Sequence, residues 1–212
     1  MVVDFIGAVD LLRSMKERVE THLGKQLTHA ASGFPPNVPF VERKATAHVV
    51  EAAGMTCGCL VDEPTAANSI LHLQDGVIVD IGGGTTGLAI IENGEVVYTA
   101  DEATGGVHLS LVIAGANNIS FEAAETLKKD AAQQSRLFPI VRAVMEKMGT
   151  IVAKHIRGSS AQSITLVGDT TLFPGIASVI EAVTGLPTQV SQHPLFVTPL
   201  GIAMHDHKED IK

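Results

Sequence analysis

Apolar residues recur along this chain at helical spacing in some stretches and in short continuous runs in others, and the alternation of the two gives the element order. Phe5, Val9, Leu12, Met15, Val19 and Leu23 step by three and four, predicting a helix over residues 4–23 with Gly24 as its stop. A short strand, Leu27–Ser32, is broken by Phe34-Pro35-Pro36-Asn37. A second helix covers 39–53, with Val41, Ala45, Val49 and Ala52 on one face. Cys57–Val61 is the next strand, and Pro64 sits where a helix begins, one that runs to about Leu73.

The pattern then changes to a three-strand meander. Val77–Ile81 is apolar except at Asp80, Leu88–Ile91 follows, and Asn93-Gly94 marks a hairpin into Glu95–Thr99. After Gly105-Gly106 the chain turns helical to about Ala114, then carries a small amphipathic insert, Ile119–Lys129. A long helix spans 135–156, followed by strand Ser163–Val167, helix Pro174–Val183, strand Pro187–Ser191 and a last helix Thr198–His205.

The first part, helix-strand-helix-strand-helix, is the second part without its three opening strands. That is a repeat of architecture rather than of sequence. It predicts an α/β fold made of a duplicated ribonuclease-H-like unit, the actin-like ATPase arrangement, with the first lobe truncated at its N-terminal strands. The expected domains are 1–75 for the truncated lobe, 76–206 for the complete one with its helical insert at about 117–132, and 207–212 as a tail. A truncated lobe leaves a sheet edge and one face of the 4–23 helix uncovered, which predicts self-association into a homo-oligomer.

Composition narrows the function classes. Hydrophobic residues make up 45% of the 212 positions, which excludes disorder as the main state, and with Trp absent the core is aliphatic. The formal net charge of -8, with no basic stripe, argues against a nucleic-acid partner. Met1-Val2-Val3-Asp4 has no basic leader and no apolar run is long enough to span a bilayer, so a cytoplasmic protein without membrane association is expected. Cys57 and Cys59, two apart on a strand, are expected on one face as buried thiols in a reducing compartment. His205 and His207 form a close pair in the tail, too few ligands for a metal site, and no serine lies in a nucleophile elbow.

The segment carrying the chemistry is Asp80-Ile81-Gly82-Gly83-Gly84-Thr85-Thr86. Three glycines let backbone amides converge on an anion without side-chain obstruction, and Thr85 and Thr86 add hydroxyls. Asp80 stands where a carboxylate holds a magnesium ion through its water shell.

Val61-Asp62-Glu63-Pro64-Thr65-Ala66-Ala67, followed at this spacing by Val79-Asp80-Ile81-Gly82-Gly83-Gly84-Thr85-Thr86, resembles the actin, sugar-kinase and seventy-kilodalton heat-shock chaperone (DnaK-like) superfamily. Asp101-Glu102-Ala103-Thr104-Gly105-Gly106, Ile119-Ser120-Phe121-Glu122-Ala123-Ala124-Glu125 and Thr198-Pro199-Leu200-Gly201-Ile202-Ala203 are similar to the EutJ family of ethanolamine-utilisation proteins. The resemblance covers nearly the whole chain. It implies a chaperone-like, ATP-binding accessory protein, associated with a bacterial microcompartment, whose partners are ethanolamine-degrading enzymes or microcompartment components. Its cofactors would be ATP or ADP with magnesium. It assigns Asp80 to the metal-bound water and Glu63 to the neighbourhood of the attacking water, as the catalytic carboxylates. Gly82, Gly83, Gly84, Thr85 and Thr86 would meet the phosphates. Glu125 and Lys128 would grip ribose and adenine, with Gly168, Asp169 and Thr170 as the adenosine loop.

Two departures weigh against turnover. The superfamily's first phosphate loop, Asp-x-Gly-Thr, is absent before Phe5. Asp169 replaces the second glycine of the adenosine loop. A like charge at about 5 Å and an effective dielectric of about 20 costs about 3 kcal/mol, an upper figure that assumes little screening, and corresponds to roughly a hundredfold in affinity. The expected activity is therefore at most a weak ATPase, inactive in this chain. The alternative is a non-catalytic scaffold or assembly protein that has lost nucleotide binding. A filament former needs subunit contacts that the sequence does not reveal, and the chain is too short for a kinase's separate substrate domain.

Overall fold

A computed structural model describes residues 3–36 and 38–206. Met1, Val2, Asn37 and the tail 207–212, with His207 of the expected histidine pair, lie outside the described residues. The chain divides into two compact units, one taking in the chain up to Ile70 with the segment from Thr198, the other Leu71–Val197.

In the first unit, α1 (Phe5–Leu23) starts where Asp4 accepts the Gly7 N–H at 2.9 Å. It stops at Gly24, whose φ of 65° is the left-handed conformation that glycine adopts without a Cβ penalty. β1 (His29–Phe34) and β2 (Thr56–Asp62) pair in parallel, with α2 (Phe40–Ala52) between them in the chain. Val50, Ala53 and Met55 form a small core with Leu12, Leu27, Ala30 and Cys57. The helical faces are narrower than their periodicity implies. Val9 is buried on α1, but Phe5, Met15, Val19 and Leu23 are exposed. On α2 the burial falls on Val49 and Val50, while Val41 is exposed.

The two cysteines do not share a face. Ala30 pairs with Cys57 and Ala31 with Cys59, so Gly58 is an extra residue in β2. A bulge of this kind resets the alternation, and the two thiols point to opposite sides of the sheet. Burial, then the nearby Glu51 carboxylate, push the Cys57 thiol above its usual value, which keeps it protonated.

α3 (Glu63–Leu71) follows β2 directly, and Asp62 caps it by accepting the Thr65 N–H at 3.0 Å. The last helix, α8 (Pro194–Met204), begins four residues before the expected Thr198. Its start is Pro194, whose missing N–H costs nothing at a first turn, and Pro199 is carried inside. From Thr198 onward it belongs to the first unit, which corrects the expected 76–206 boundary. The reason is contact without side chains: a Cβ on Gly201 would lie 1.8 Å from the Ala66 carbonyl oxygen. Gly33 likewise leaves the space that Ile202 fills.

The second unit is a five-stranded sheet in the order β5-β4-β3-β6-β7. β3 (Gly76–Ile81), β4 (Thr86–Glu92) and β5 (Glu95–Glu102) form the antiparallel meander. β6 (Ile164–Val167) and β7 (Thr188–Val190) add in parallel on the other side of β3. This is the ribonuclease-H-like order, with the second lobe complete and the first represented, among the described residues, by its two parallel strands. Asn93 and Gly94, at φ 53° and 82°, close the hairpin with both residues left-handed, as its twist requires. The remaining helices are α4 (Gly106–Asn117), α5 (Phe121–Lys129), α6 (Ala131–His155) and α7 (Ile176–Thr184). Val77, Val79 and Ile81 of β3 pack with Leu109, Val141, Met145 and Ile180 in one continuous core. α5 is the expected insert, capped by Ser120.

Because Gly201 meets backbone that cannot move aside, Gly201→Ala is expected to destabilise the first unit by about 1–3 kcal/mol, the range for overpacking. Urea unfolding of the two proteins side by side measures it, and equal midpoints would show that α3 and α8 are not in this contact.

Candidate functional site

β3 runs out through Asp80 and Ile81 into the glycine loop, and the loop's carbonyls are fixed from behind. Gly82 O accepts from the Gly106 N–H at 2.9 Å and from Thr170 Oγ1 at 2.9 Å. Gly83 O accepts from the Val107 N–H at 2.8 Å. The first N–H groups of α4 have no partners within their own helix, and the loop supplies them. In a trans peptide the N–H points opposite to its C=O. With the carbonyls of Gly82 and Gly83 held against α4, the amides of Gly83 and Gly84 are aimed away from it, on the exposed side of the loop. Among the described residues, no atom outside the adjacent residues lies within 4 Å of a Cβ built at Gly82, Gly83 or Gly84, so internal crowding does not require these glycines. They leave room for a group that approaches the backbone closely.

Gly105 and Gly106 are required by crowding. A Cβ on Gly105 would lie 2.7 Å from the Gly82 and Gly83 oxygens, and one on Gly106 would lie 2.4 Å from Thr170 Oγ1. Sequence reasoning did not place these two in the site, although the Gly-Gly pair itself was the signal. Gly168, at φ 92°, is a third such position: a Cβ there would meet the Ile81 oxygen and Asp80 Oδ1 at 2.5 and 2.6 Å. That contact sets the Asp80 carboxylate beside the 168–170 loop.

The structure brings most of the expected residues together in the second unit. Asp80, Gly82, Gly83, Gly84 and Thr85 form the loop, with Gly168 and Thr170 behind it. Glu125 and Lys128 face one another on α5, with Lys128 Nζ 2.7 Å from Glu125 Oε1. Lys128 also donates to Gly106 O at 3.1 Å, tying α5 to the start of α4, and Ser110 Oγ donates to Glu125 Oε1. A cavity of about 400 Å³ opens beside them, walled by Leu109, Leu172 and Phe173 and bordered by Lys128, Asp169 and Thr170.

Two expectations change. Thr86 is fully buried and its hydroxyl donates to the Thr104 carbonyl at 2.6 Å, so it is a structural residue rather than a phosphate ligand. Asp169 does border the cavity but is exposed, so solvent screens its charge and the repulsion falls well below the upper figure for little screening. Glu63 lies in the other unit, as the first residue of α3. Among the described residues no three His, Cys, Asp or Glu side chains are grouped to hold a metal directly. The donor set at the loop suits magnesium bound mainly through water and phosphate, which calls for few carboxylates.

Burial pushes the Glu125 carboxyl up, but the hydrogen bonds from Lys128 and Ser110 and the charges of Lys128 and Lys129 outweigh it and hold the group below its usual value of 4.5. A carboxyl depressed in the folded state stabilises it above the unfolded value, and that stability is lost as pH falls through the folded value. Glu125→Gln is therefore expected to melt lower than the parent at neutral pH, with the gap closing in acid below pH 4.5. Melting curves across that range test it; a gap that is constant with pH would remove Glu125 as an ionised anchor.

Comparison with known proteins fits this geometry. The Cell division protein FtsA family matches residues 77–201 and the MreB/Mbl protein family residues 1–117. Ethanolamine utilization protein EutJ of Salmonella typhimurium is 43% identical over 96% of this chain and 71% of its own length. A Chaperone protein HscA homolog of Chromobacterium violaceum is 26% identical over 92% of this chain and 40% of its own. The crystal structure of ethanolamine utilization protein EutJ from Carboxydothermus hydrogenoformans superposes with a TM-score of 0.91 at 45% identity, covering 97% of this chain and 76% of that one. With the glycine loop, the five-stranded order and the whole-chain similarity in agreement, the chain belongs to the EutJ family, a branch of the actin-like and DnaK-like ATPase superfamily.

Proposed function

We propose that this chain is a chaperone-like, nucleotide-binding accessory protein of ethanolamine utilisation, taking ADP or ATP with magnesium in the second unit. The observation that carries the reading is the pair of amides at Gly83 and Gly84, held outward by the α4 contacts, in a loop whose Gly82 carbonyl accepts from Thr170, a residue that borders the cavity of about 400 Å³. In this reading those amides and the Thr85 hydroxyl hold phosphate oxygens. Leu109, Leu172 and Phe173 supply apolar walls for a base, and Glu125 and Lys128 set the sugar. Asp80 would hold magnesium through its water shell. Bound magnesium would neutralise phosphate charge, which is most of what phosphoryl transfer asks of its site.

The names of the relatives support the pathway, and with it protein partners among the ethanolamine-degrading enzymes or the components of a microcompartment. No described helix is long and apolar enough to cross a membrane, which is compatible with a cytoplasmic setting. A scaffold reading is favoured by one feature, the acidic Asp169 at the cavity in place of glycine.

Calorimetric titration with Mg-ADP and Mg-ATP separates the two. The expected result is saturable binding weaker than micromolar, abolished by Gly83→Val, whose side chain enters the open space over the loop, and strengthened by Asp169→Gly. Absence of any binding heat, in the parent and in Asp169→Gly alike, would leave the scaffold.

A further inference from the structure

Tyr98, the chain's single tyrosine, stands on β5, an edge strand of the five-stranded sheet. Its hydroxyl is 2.7 Å from Nδ1 of His155, the last residue of α6. The other ring nitrogen, Nε2, is 3.1 Å from Glu102 Oε1, at the end of β5. Lys154 Nζ reaches the same oxygen at 3.0 Å.

Chemistry fixes the direction of this chain of bonds. The hydrogen bonds of Lys154, then of His155, hold the Glu102 carboxyl below its usual range, so it is ionised and accepts only. Nε2 therefore carries the proton. In the neutral ring Nδ1 is then the bare nitrogen, and the Tyr98 O–H donates to it. A hydroxyl, an imidazole with its acceptor nitrogen turned to it, and a carboxylate holding the tautomer are the parts of a base-activated nucleophile. Exposure is divided in the same sense. The His155 side chain is 14% exposed, while Tyr98 is 42% exposed and open to a reagent.

We propose that Tyr98, His155 and Glu102 form an acyl-acceptor site, with Tyr98 Oη as nucleophile, His155 as general base and Glu102 as the positioning residue. Its co-substrate is an activated acyl donor of the thioester or acyl-phosphate class. Acyl transfer needs a base and an open nucleophile. Phosphoryl transfer needs cations free to neutralise the transferred group, and the relay's own cation, Lys154, is already paired with Glu102. In the step, the Tyr98 Oη–C bond forms as the bond from the acyl carbon to its leaving group breaks. The phenolic proton passes to His155 Nδ1, and the leaving group departs with the electron pair and takes up that proton. The product is an O-acyl tyrosine.

N-acetylimidazole is the probe, with the full chain as it stands. Acetyl on Tyr98 is followed by peptide mass spectrometry and recognised by its removal with hydroxylamine, which leaves acetyl-lysine intact. Tyr98 is expected to react at least ~100-fold faster than N-acetyltyrosinamide, and His155→Gln to remove that excess, the low end of what a positioned general base contributes. Glu102→Gln is expected to slow the reaction and Glu102→Asp to restore part of it, with Tyr98→Phe as the unlabelled control. If the hydrogen bonds are only a clamp between β5 and α6, breaking them frees the phenol, and both His155→Gln and Glu102→Gln leave the rate unchanged or raise it. That result, or reaction of the parent at the free amino-acid rate, overturns the proposal.

Discussion

Two carbonyl oxygens, those of Gly82 and Gly83, hold the second unit's site in place. By accepting from the first amides of α4, they satisfy donors that a helix start leaves without internal partners. The same bonds turn the next two amides outward. One contact thus completes a helix end and aims two amides at open space. Small residues cluster around it: Gly105 has no room for a Cβ against the loop, Gly106 none against Thr170, and Gly168 none against Ile81 and Asp80. Thr170 joins the arrangement by donating to Gly82 O, so the loops after β3, β5 and β6 meet at one carbonyl.

The cavity bordered by Thr170 and Lys128 has its own internal bracing. Lys128 reaches from α5 to both Glu125 and the Gly106 carbonyl, so the ion pair is part of the join between α5 and α4 rather than a solvated surface pair. Its partial burial raises the cost of leaving either partner alone. The ribose-gripping role given to these residues under the proposed function therefore rests on side chains already held in position. Preorganisation of this kind lowers the ordering cost when a ligand binds.

The first unit is constructed differently. Its two parallel strands carry a small aliphatic core, and its closest packing is between helix backbones, Gly201 of α8 on Ala66 of α3, with Ala66 and Ala67 inaccessible to solvent. Small residues here do what large aliphatics do in the other unit, because dispersion contacts accumulate when backbones approach. Several apolar positions of α1 remain on the surface, including Phe5, Ile6, Leu11 and Met15, an apolar face of the kind that marks interaction surfaces.

The sequence by itself determined the element order, because helical and strand periodicities, Gly24, Pro64 and Asn93-Gly94 are local signals with local physical causes. It determined the phosphate-loop ancestry, since three glycines after an apolar strand ending in a carboxylate have few other uses. It also brought Glu125 and Lys128 together, because three residues along a helix is one face. Tertiary structure decided the rest. Thr86 left the site because its hydroxyl found the Thr104 carbonyl, a partner 18 residues on that no local pattern reveals. Cys57 and Cys59 separated because one inserted residue, Gly58, shifts register, and register is a property of two strands. The end of α8 joined the first unit because Gly201 has no side chain to keep Ala66 at a distance. The hydrogen-bonded line from Tyr98 through His155 to Glu102 joins positions more than fifty residues apart, so only the folded sheet and helix place them in contact.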